Sequence, residues 1–285
     1  MFGFSFVPMK VGLREMPPLA LCGFRFLFAA LPLVFFVRRP RIPWPYVVGY
    51  GLAIGVFQFG MLFLGLSLGM PAGLASLVIQ VQVFFTVGLG IAVLGERFQR
   101  HNLIGAAIAT VGLALLALHK IDAGVGATLV GFVLVVGAAF AWAVGNIVAK
   151  RAAGAHQADM FALVVWSALV PPLPLALLSY AFEGGPAAWH AVVSAGALTW
   201  GCALFMAWGA TLFGFGSWAG LMHRYPTALI SPFALLIPVS GVVSGVLLLG
   251  EALAPLQMLG ALLIFAGLFE NVYGPRLRAR FRRRA

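Results

Sequence analysis

Asn146 and Trp142 stand four residues apart in an uncharged run from Leu129 to Ala149. Four residues is about one helical turn, so the two side chains share a face. An amide offers donors and acceptors together, and an indole adds an apolar wall with one N–H. That pair suits reversible binding of a small zwitterion; the competing role is that Asn146 ties two helices together and Trp142 packs. A second uncharged run, 72–94, has two polar faces, Ser76 with Gln80 and Gln82 with Thr86, because residues two apart point about 200° from each other. Both glutamines cannot line one small cavity. One of them bonds a neighbouring helix, and spacing alone does not choose between them. Gln58 and Ser231 are further candidates for a binding site, against ordinary interhelical bonding worth about 0.6 kcal/mol. Pro232 and Pro238 beside Ser231 free backbone carbonyls for a substrate or for a kink.

Charges inside apolar runs cost more, roughly 2.5–3.5 kcal/mol for arginine at a helix centre in a membrane. Arg25 lies about two turns into the run 18–37, where its guanidinium could bind a carboxylate or brace the bundle. Lys10 and Lys150 end their runs and read as interface anchors. Glu270 sits one turn from the end of the last run; it could carry a coupling proton, and a solvated helix end is the favoured reading. Glu96 and Glu251 each follow a glycine and read as structural. The five histidines (His101, His119, His156, His190 and His223) are scattered over connections, which argues against a clustered acid–base or metal set and hence against an enzyme. With no phosphate-binding glycine loop, neither an ATP-driven pump nor any cofactor is expected. Cys22 and Cys202 fall within apolar stretches, so neither a disulfide nor a metal site is expected.

These side chains must be positioned by helices in lipid. Of 285 residues, 62% are hydrophobic and 9% charged, with a mean hydropathy of +1.05, which excludes an ordinary soluble domain. Nine stretches approach the roughly 20 residues needed to span a bilayer: 18–37, 46–69, 72–94, 102–118, 128–149, 160–182, 195–221, 226–249 and 254–273. Backbone groups without water to bond make each of them a helix. Phe2 to Leu13 is apolar but reaches only about 18 Å as a helix, too short to cross. A truncated first helix, with upstream residues missing, is the favoured expectation, and a secretory signal is not expected.

Counting that first segment gives ten helices and an all-α integral membrane fold. With the N-terminus inside, fourteen lysines and arginines fall on the inner side, six of them in the last ten residues. Lys10, Arg14 and Lys120 fall outside. That asymmetry places both termini in the cytoplasm. The same placement accounts for the net charge of +11 by membrane topology and headgroup attraction, so no nucleic-acid partner is expected. The lipid bilayer itself is the expected surrounding.

The chain also repeats itself. Pro71, Leu74 and Ser76 recur as Pro226, Leu229 and Ser231; Leu94-Gly95-Glu96 recurs as Leu249-Gly250-Glu251. Gly105-Ala106 and Gly112-Leu113 recur as Gly260-Ala261 and Gly267-Leu268. With Val87 and Gly90, twelve identities fall between positions 71 and 113 at one offset of 155. The expected organisation is a five-helix repeat over 1–121, a second over 127–273 and a basic cytoplasmic tail over 274–285. Five helices per repeat force opposite orientations, and inverted repeats build alternating-access transporters with a site between the halves. A channel is disfavoured because no filter-like re-entrant segment appears. The recurring glycines read as helix-packing positions, and Gly241 with Gly245 could also serve a homodimer.

Lys10-Val11-Gly12-Leu13, Met16-Pro17-Pro18-Leu19, Gly23-Phe24-Arg25-Phe26, Gly69 to Val78 and Gly95-Glu96-Arg97 resemble EamA-type transporters of the drug/metabolite transporter superfamily. Trp142 to Ile147 and Val165 to Pro171 are most similar to bacterial exporters of cysteine and O-acetylserine. The resemblance spans nearly the whole chain, apart from the short first helix. It implies export of amino acids or related metabolites across the bacterial inner membrane, driven by an ion gradient. It also favours bracing for Arg25, since the family usually carries a basic residue there whatever its substrate. The rival in the same class is a broad drug or aromatic-metabolite exporter, suggested by Trp142, Trp166, Trp200, Trp208 and Trp218 within helices.

Overall fold

The structure is a computed structural model describing residues 3–95, 100–122, 126–156, 159–214, 217 and 236–282, with side chains for all of these except 100–102, 117–122, 126–128, 155–156 and 275–282. Every regular element among the described residues is a helix. In chain order they are α1 (Phe6–Gly12), α2 (Pro18–Val34), α3 (Trp44–Ser67), α4 (Ala72–Leu94), α5 (Arg100–Asp122), α6 (Gly126–His156), α7 (Met160–Phe182), α8 (Pro186–Ser194), α9 (Ala197–Phe213), α10 (Leu236–Leu249) and α11 (Pro255–Arg282).

Proline opens many of these helices: Pro17 and Pro18 start α2, Pro43 precedes α3, and Pro71 precedes α4. Its fixed φ suits a first turn whose N–H groups have no helical partner. Glycine closes two of them. Gly95 after α4 and Gly250 after α10 have φ of +67° and +65°, a left-handed conformation that other residues adopt only at a cost. The recurring Leu-Gly-Glu triplet is therefore a helix stop.

Five helical spans are long and apolar enough to cross a membrane: Trp44–Ser67, Ala72–Leu94, Leu129–Gly154, Met160–Phe182 and Pro255–Gly274. The described part of the apolar run 195–221 is helical from Ala197 to Phe213. This helix, α9, meets α8 at 94°, because Ala195 and Gly196 take extended backbone between them. The pair counts as a sixth span if taken together. Shorter apolar helices lie at Pro18–Val34, Leu103–Leu116 and Leu236–Leu249. α7 is broken after Ser167, where Pro171 and Pro172 remove the N–H groups that would bond the carbonyls of Ser167 and Ala168. α3 and α9 each contain a π-helical stretch, Gly51–Gln58 and Phe205–Phe213. α11 continues to Arg282, so most of the segment 274–285 extends the last helix.

Glycine fixes how closely these helices approach. The α7 break seats against α3, where a Cβ on Gly55 would collide with Pro171 and one on Gly51 would lie 2.6 Å from the Ser167 carbonyl. α5 and α11 form the most extensive pair among the described helices. A Cβ on Gly105 would lie 2.6 Å from the Gly267 carbonyl, and one on Gly112 equally close to that of Gly260. These are the glycines that recur in the sequence, now facing one another across an antiparallel crossing. Gly241 and Gly245 of α10 pack instead on Ser76 and Gly73 of α4, so their small faces serve a crossing within the chain. Large apolar side chains such as Phe36, Phe182 and Leu247 point outward with more than 70% of their surface exposed, the pattern of a lipid-facing exterior.

Candidate functional site

The polar residues of α4 and α6 meet. Asn146 Nδ2 donates to Gln82 Oε1 at 2.9 Å and to Thr86 Oγ1 at 3.1 Å, and Thr86 Oγ1 donates to Gln82 Oε1 at 3.2 Å. Gln82 lies near the middle of the span Ala72–Leu94, so this triad sits deep between helices. A 3₁₀ turn over Ile79–Val81 leads into Gln82, while Gln80 within that turn is buried. Gln82 is thus the glutamine that reaches Asn146. The triad is only half-buried, and Asn146 Oδ1 and Gln82 Nε2 make no hydrogen bond to another described residue. An acceptor and a donor of the triad are left over, able to take an ammonium and a carboxylate respectively. Trp142 is half-buried against the core one turn away on the same helix.

Arg25 is 2% exposed and forms a second polar centre. Its guanidinium bonds Thr211 Oγ1 of α9 through Nη2 at 3.1 Å and lies 3.8 Å from the centre of the Phe59 ring of α3. Thr211 in turn donates to the Met206 carbonyl at 2.9 Å, within the π-helical stretch of α9. Nη1 has no hydrogen-bond partner among the described residues. A cavity of about 20 Å³, lined by the Arg25 partners Phe59 and Thr211 together with Tyr50 and Ser167, has room for about one water. The arrangement holds a cation on an aromatic face between three helices.

The other candidates are scattered. Ser76 is fully buried and donates to the Gly73 carbonyl in its own helix at 2.7 Å. Gln58 is buried at the end of the π-helical stretch of α3, its Oε1 without a partner among the described residues. Ser231, Trp218 and Glu96 lie outside the described residues. Three tryptophans have assigned places in the packing. Trp166 Nε1 donates to the Val37 carbonyl and Trp208 Nε1 to the Phe28 carbonyl, both at 3.0 Å, and Trp200 sits edge-on to Phe24 with centroids 5.0 Å apart.

Sequence reading missed Glu15 and Glu183, and read Glu251 as structural without its partners, in a set of carboxylates at the end of the bundle that carries the α1–α2 turn. Glu15 accepts from Gly196 N–H at 2.9 Å and Thr199 Oγ1 at 2.7 Å, entering α9. Those two bonds, Thr199 first, hold its carboxyl below the ordinary value of 4.5. Glu183 accepts from Leu19 and Ala20 N–H at 2.8 and 3.3 Å in the first turn of α2. Glu251 accepts from Ala72 and Gly73 N–H at 2.5 and 2.8 Å in the first turn of α4. Each satisfies donors that a helix start leaves without a partner. Lys10 does the converse, donating to the Leu66 and Met70 carbonyls at 2.6 and 3.3 Å. The signal available was a lone acid in an apolar connection, but its partners are backbone amides that leave no trace in residue types.

A helical bundle with lipid-facing sides and a neutral polar triad between its helices defines a multi-pass membrane protein. The model of the EamA-like transporter family matches residues 1–118 and again 129–273, and the chain belongs to that family. A protein of Salmonella typhimurium described as a probable amino-acid metabolite efflux pump is 45% identical over 278 residues, 97% of this chain and 93% of its own. A protein of Escherichia coli K12 with the same description is 43% identical over the same coverage. A probable terminal-alkyne amino-acid exporter of Streptantibioticus cattleyicolor is 26% identical, covering 81% of this chain and 74% of its own. A solved crystal structure 19% identical to the chain superposes with a TM-score of 0.60 over 94% of this chain and 95% of its own, which supports the fold.

Proposed function

We propose that this transporter exports amino acids or closely related metabolites, of the cysteine and O-acetylserine kind, across the bacterial inner membrane by alternating access. The Asn146–Gln82–Thr86 triad carries the reading, since it joins α4 of the first half to α6 of the second and keeps one acceptor and one donor for a zwitterion. The halves are inverted five-helix repeats over 1–121 and 127–273, making ten membrane helices, with both termini and the basic segment 274–285 in the cytoplasm. Two observations support that inversion. The family model matches each half separately. Gly105 meets Gly267, the repeat mate of Gly112, while Gly112 meets Gly260, the repeat mate of Gly105, which is the reciprocity a two-fold relation between the halves produces. The chain has no catalytic role in this reading. Packing roles for Trp166, Trp200 and Trp208 weigh against the aromatic-metabolite alternative.

Uptake into proteoliposomes of labelled cysteine, O-acetylserine, threonine and phenylalanine, with and without a pH gradient, tests this. Saturable uptake of an amino acid, stimulated by the gradient if a proton couples, is expected. Asn146→Ala or Gln82→Ala should lower its rate at least about tenfold, as losing a hydrogen bond to a charged group does. Uptake of none of the four sinks the substrate class, and unchanged rates in both variants sink the site.

A further inference from the structure

We propose that Glu15, Glu183 and Glu251 are three latches that hold the outer side of the transporter closed and must all release for substrate to leave; this rests on the alternating-access reading above. Each carboxylate is carried by one half of the chain and grips the first turn of a helix in the other half. Glu15 reaches from the first half to α9, while Glu183 and Glu251 reach from the second half to α2 and α4. All three lie at the same end of the bundle, opposite the basic tail in the positive-inside arrangement. Because the grips run in both directions, the halves cannot part at this end while keeping any of them.

The chemistry suits release. Carboxylate to helix-start N–H is a charge-assisted bond strengthened by the helix dipole, strong enough to hold a closed state. Each is also near water. Glu15 is exposed, Glu183 half-buried, and Glu251 borders a polar pocket of about 280 Å³ shared with Lys10, Arg14 and Ser67. Water can replace either partner as the contact opens. Toward the other end, the bonds described between the halves end on neutral carbonyls, Trp166 to Val37, Trp208 to Phe28 and Arg151 to Val93.

Ser76 provides a reporter. It is fully buried where α4 meets Gly241 of α10, one turn inside the Glu251 grip on Gly73, so it is reached from outside only when the halves separate. In a Cys22→Ser, Cys202→Ser background, Ser76→Cys is labelled in intact cells with a membrane-impermeant maleimide. Glu251→Ala is expected to raise the labelling rate at least about tenfold, Glu251→Gln by less, and adding Glu15→Ala and Glu183→Ala further still. Asp159→Ala, whose carboxylate caps its own helix at the far end of the same half, should leave the rate unchanged. Each variant is checked for monodisperse elution, and the near-isosteric Gln variant keeps the comparison valid if an Ala variant does not fold. Rates in Glu251→Gln and in the triple variant equal to the parent would overturn the latches. If substrate accelerates labelling of the parent while the glutamate variants do not, the latches fail and alternating access stands. Absence of uptake in proteoliposomes together with faster labelling in the variants would sink the substrate reading and leave the latches.

Discussion

Replacing Trp208 with phenylalanine removes one hydrogen bond and little packing, because about half of the side chain (51%) is already exposed. The bond exists for a reason readable in α2. Pro32 has no N–H, so the Phe28 carbonyl four residues earlier has no partner in its own helix. Trp208 Nε1 supplies that partner from α9 at 3.0 Å. Interhelical hydrogen bonds in membranes average about 0.6 kcal/mol and reach about 1.7. A carbonyl with no alternative donor belongs near the upper value, so Trp208→Phe should cost about 1–2 kcal/mol of unfolding free energy. In a Pro32→Ala background the alanine N–H restores the helical bond to Phe28, and the same substitution should then cost less than about 0.5 kcal/mol. A double-mutant cycle followed by unfolding in mixed detergent micelles measures the coupling, expected at about 1 kcal/mol. Effects that add to within about 0.3 kcal/mol would refute the account, since the bond would then not depend on the proline.

Three further outcomes follow from the geometry. Gly112→Ala puts a Cβ 2.6 Å from the Gly260 carbonyl, so thermal unfolding should show a loss of about 1–3 kcal/mol, whereas Gly88→Ala, with nothing within 4 Å, should be neutral or slightly stabilising. Thr211→Val takes away the hydrogen-bond acceptor that Arg25 has among the described residues and should cost roughly 1–3 kcal/mol, more than Thr110→Val, whose hydroxyl is exposed and bonds only its own helix. Glu15 has a depressed pKa in the folded chain, so its contact is fully present above 4.5 and is lost only as pH falls through the lower folded value. The difference in melting temperature between wild type and Glu15→Gln should therefore stay constant from about pH 8 to about pH 5 and close below that; a difference that closes near pH 6–7 would refute it.

Composition and run length were enough to read a helical membrane protein, because lipid permits few other solutions for nearly two-thirds apolar residues. That the recurring glycines pack helices closely was legible too, although their meeting one another across α5 and α11 was not. Gly105 and Gly112 stand seven apart, recur at 260 and 267, and do meet. Periodicity separated Gln80 from Gln82 correctly and paired Gln82 with Thr86, but only the tertiary structure shows that α6 lies on the Gln82 side. The breaks in α7 and before α9 were harder to see, since apolar runs continue straight through them and only Pro171-Pro172 and Gly196 mark the places. Arg25 stood out by its cost, yet its partner Thr211 lies 186 residues away and shares no pattern with it. The glutamate grips were illegible for a simpler reason, that any residue's backbone could have received them.

The distribution of bond strengths between the two halves also argues for how the fold works. At mid-depth the halves meet through amides and a hydroxyl, neutral groups whose bonds in a membrane are worth about 0.6 kcal/mol on average because alternative partners exist. A carboxylate in that position would face a desolvation cost each time the halves separated. The carboxylate contacts between halves stand instead at the rim, where water takes over each carboxylate as it lets go, while the buried Arg25 guanidinium crosses between the halves to the neutral Thr211 hydroxyl. Glycine contacts at α5–α11 and at α4–α10 add close approach without a directional bond to break. An interface that forms and parts in every cycle needs carboxylate contacts only where water can replace them, and the described carboxylates that join the halves of this chain stand there.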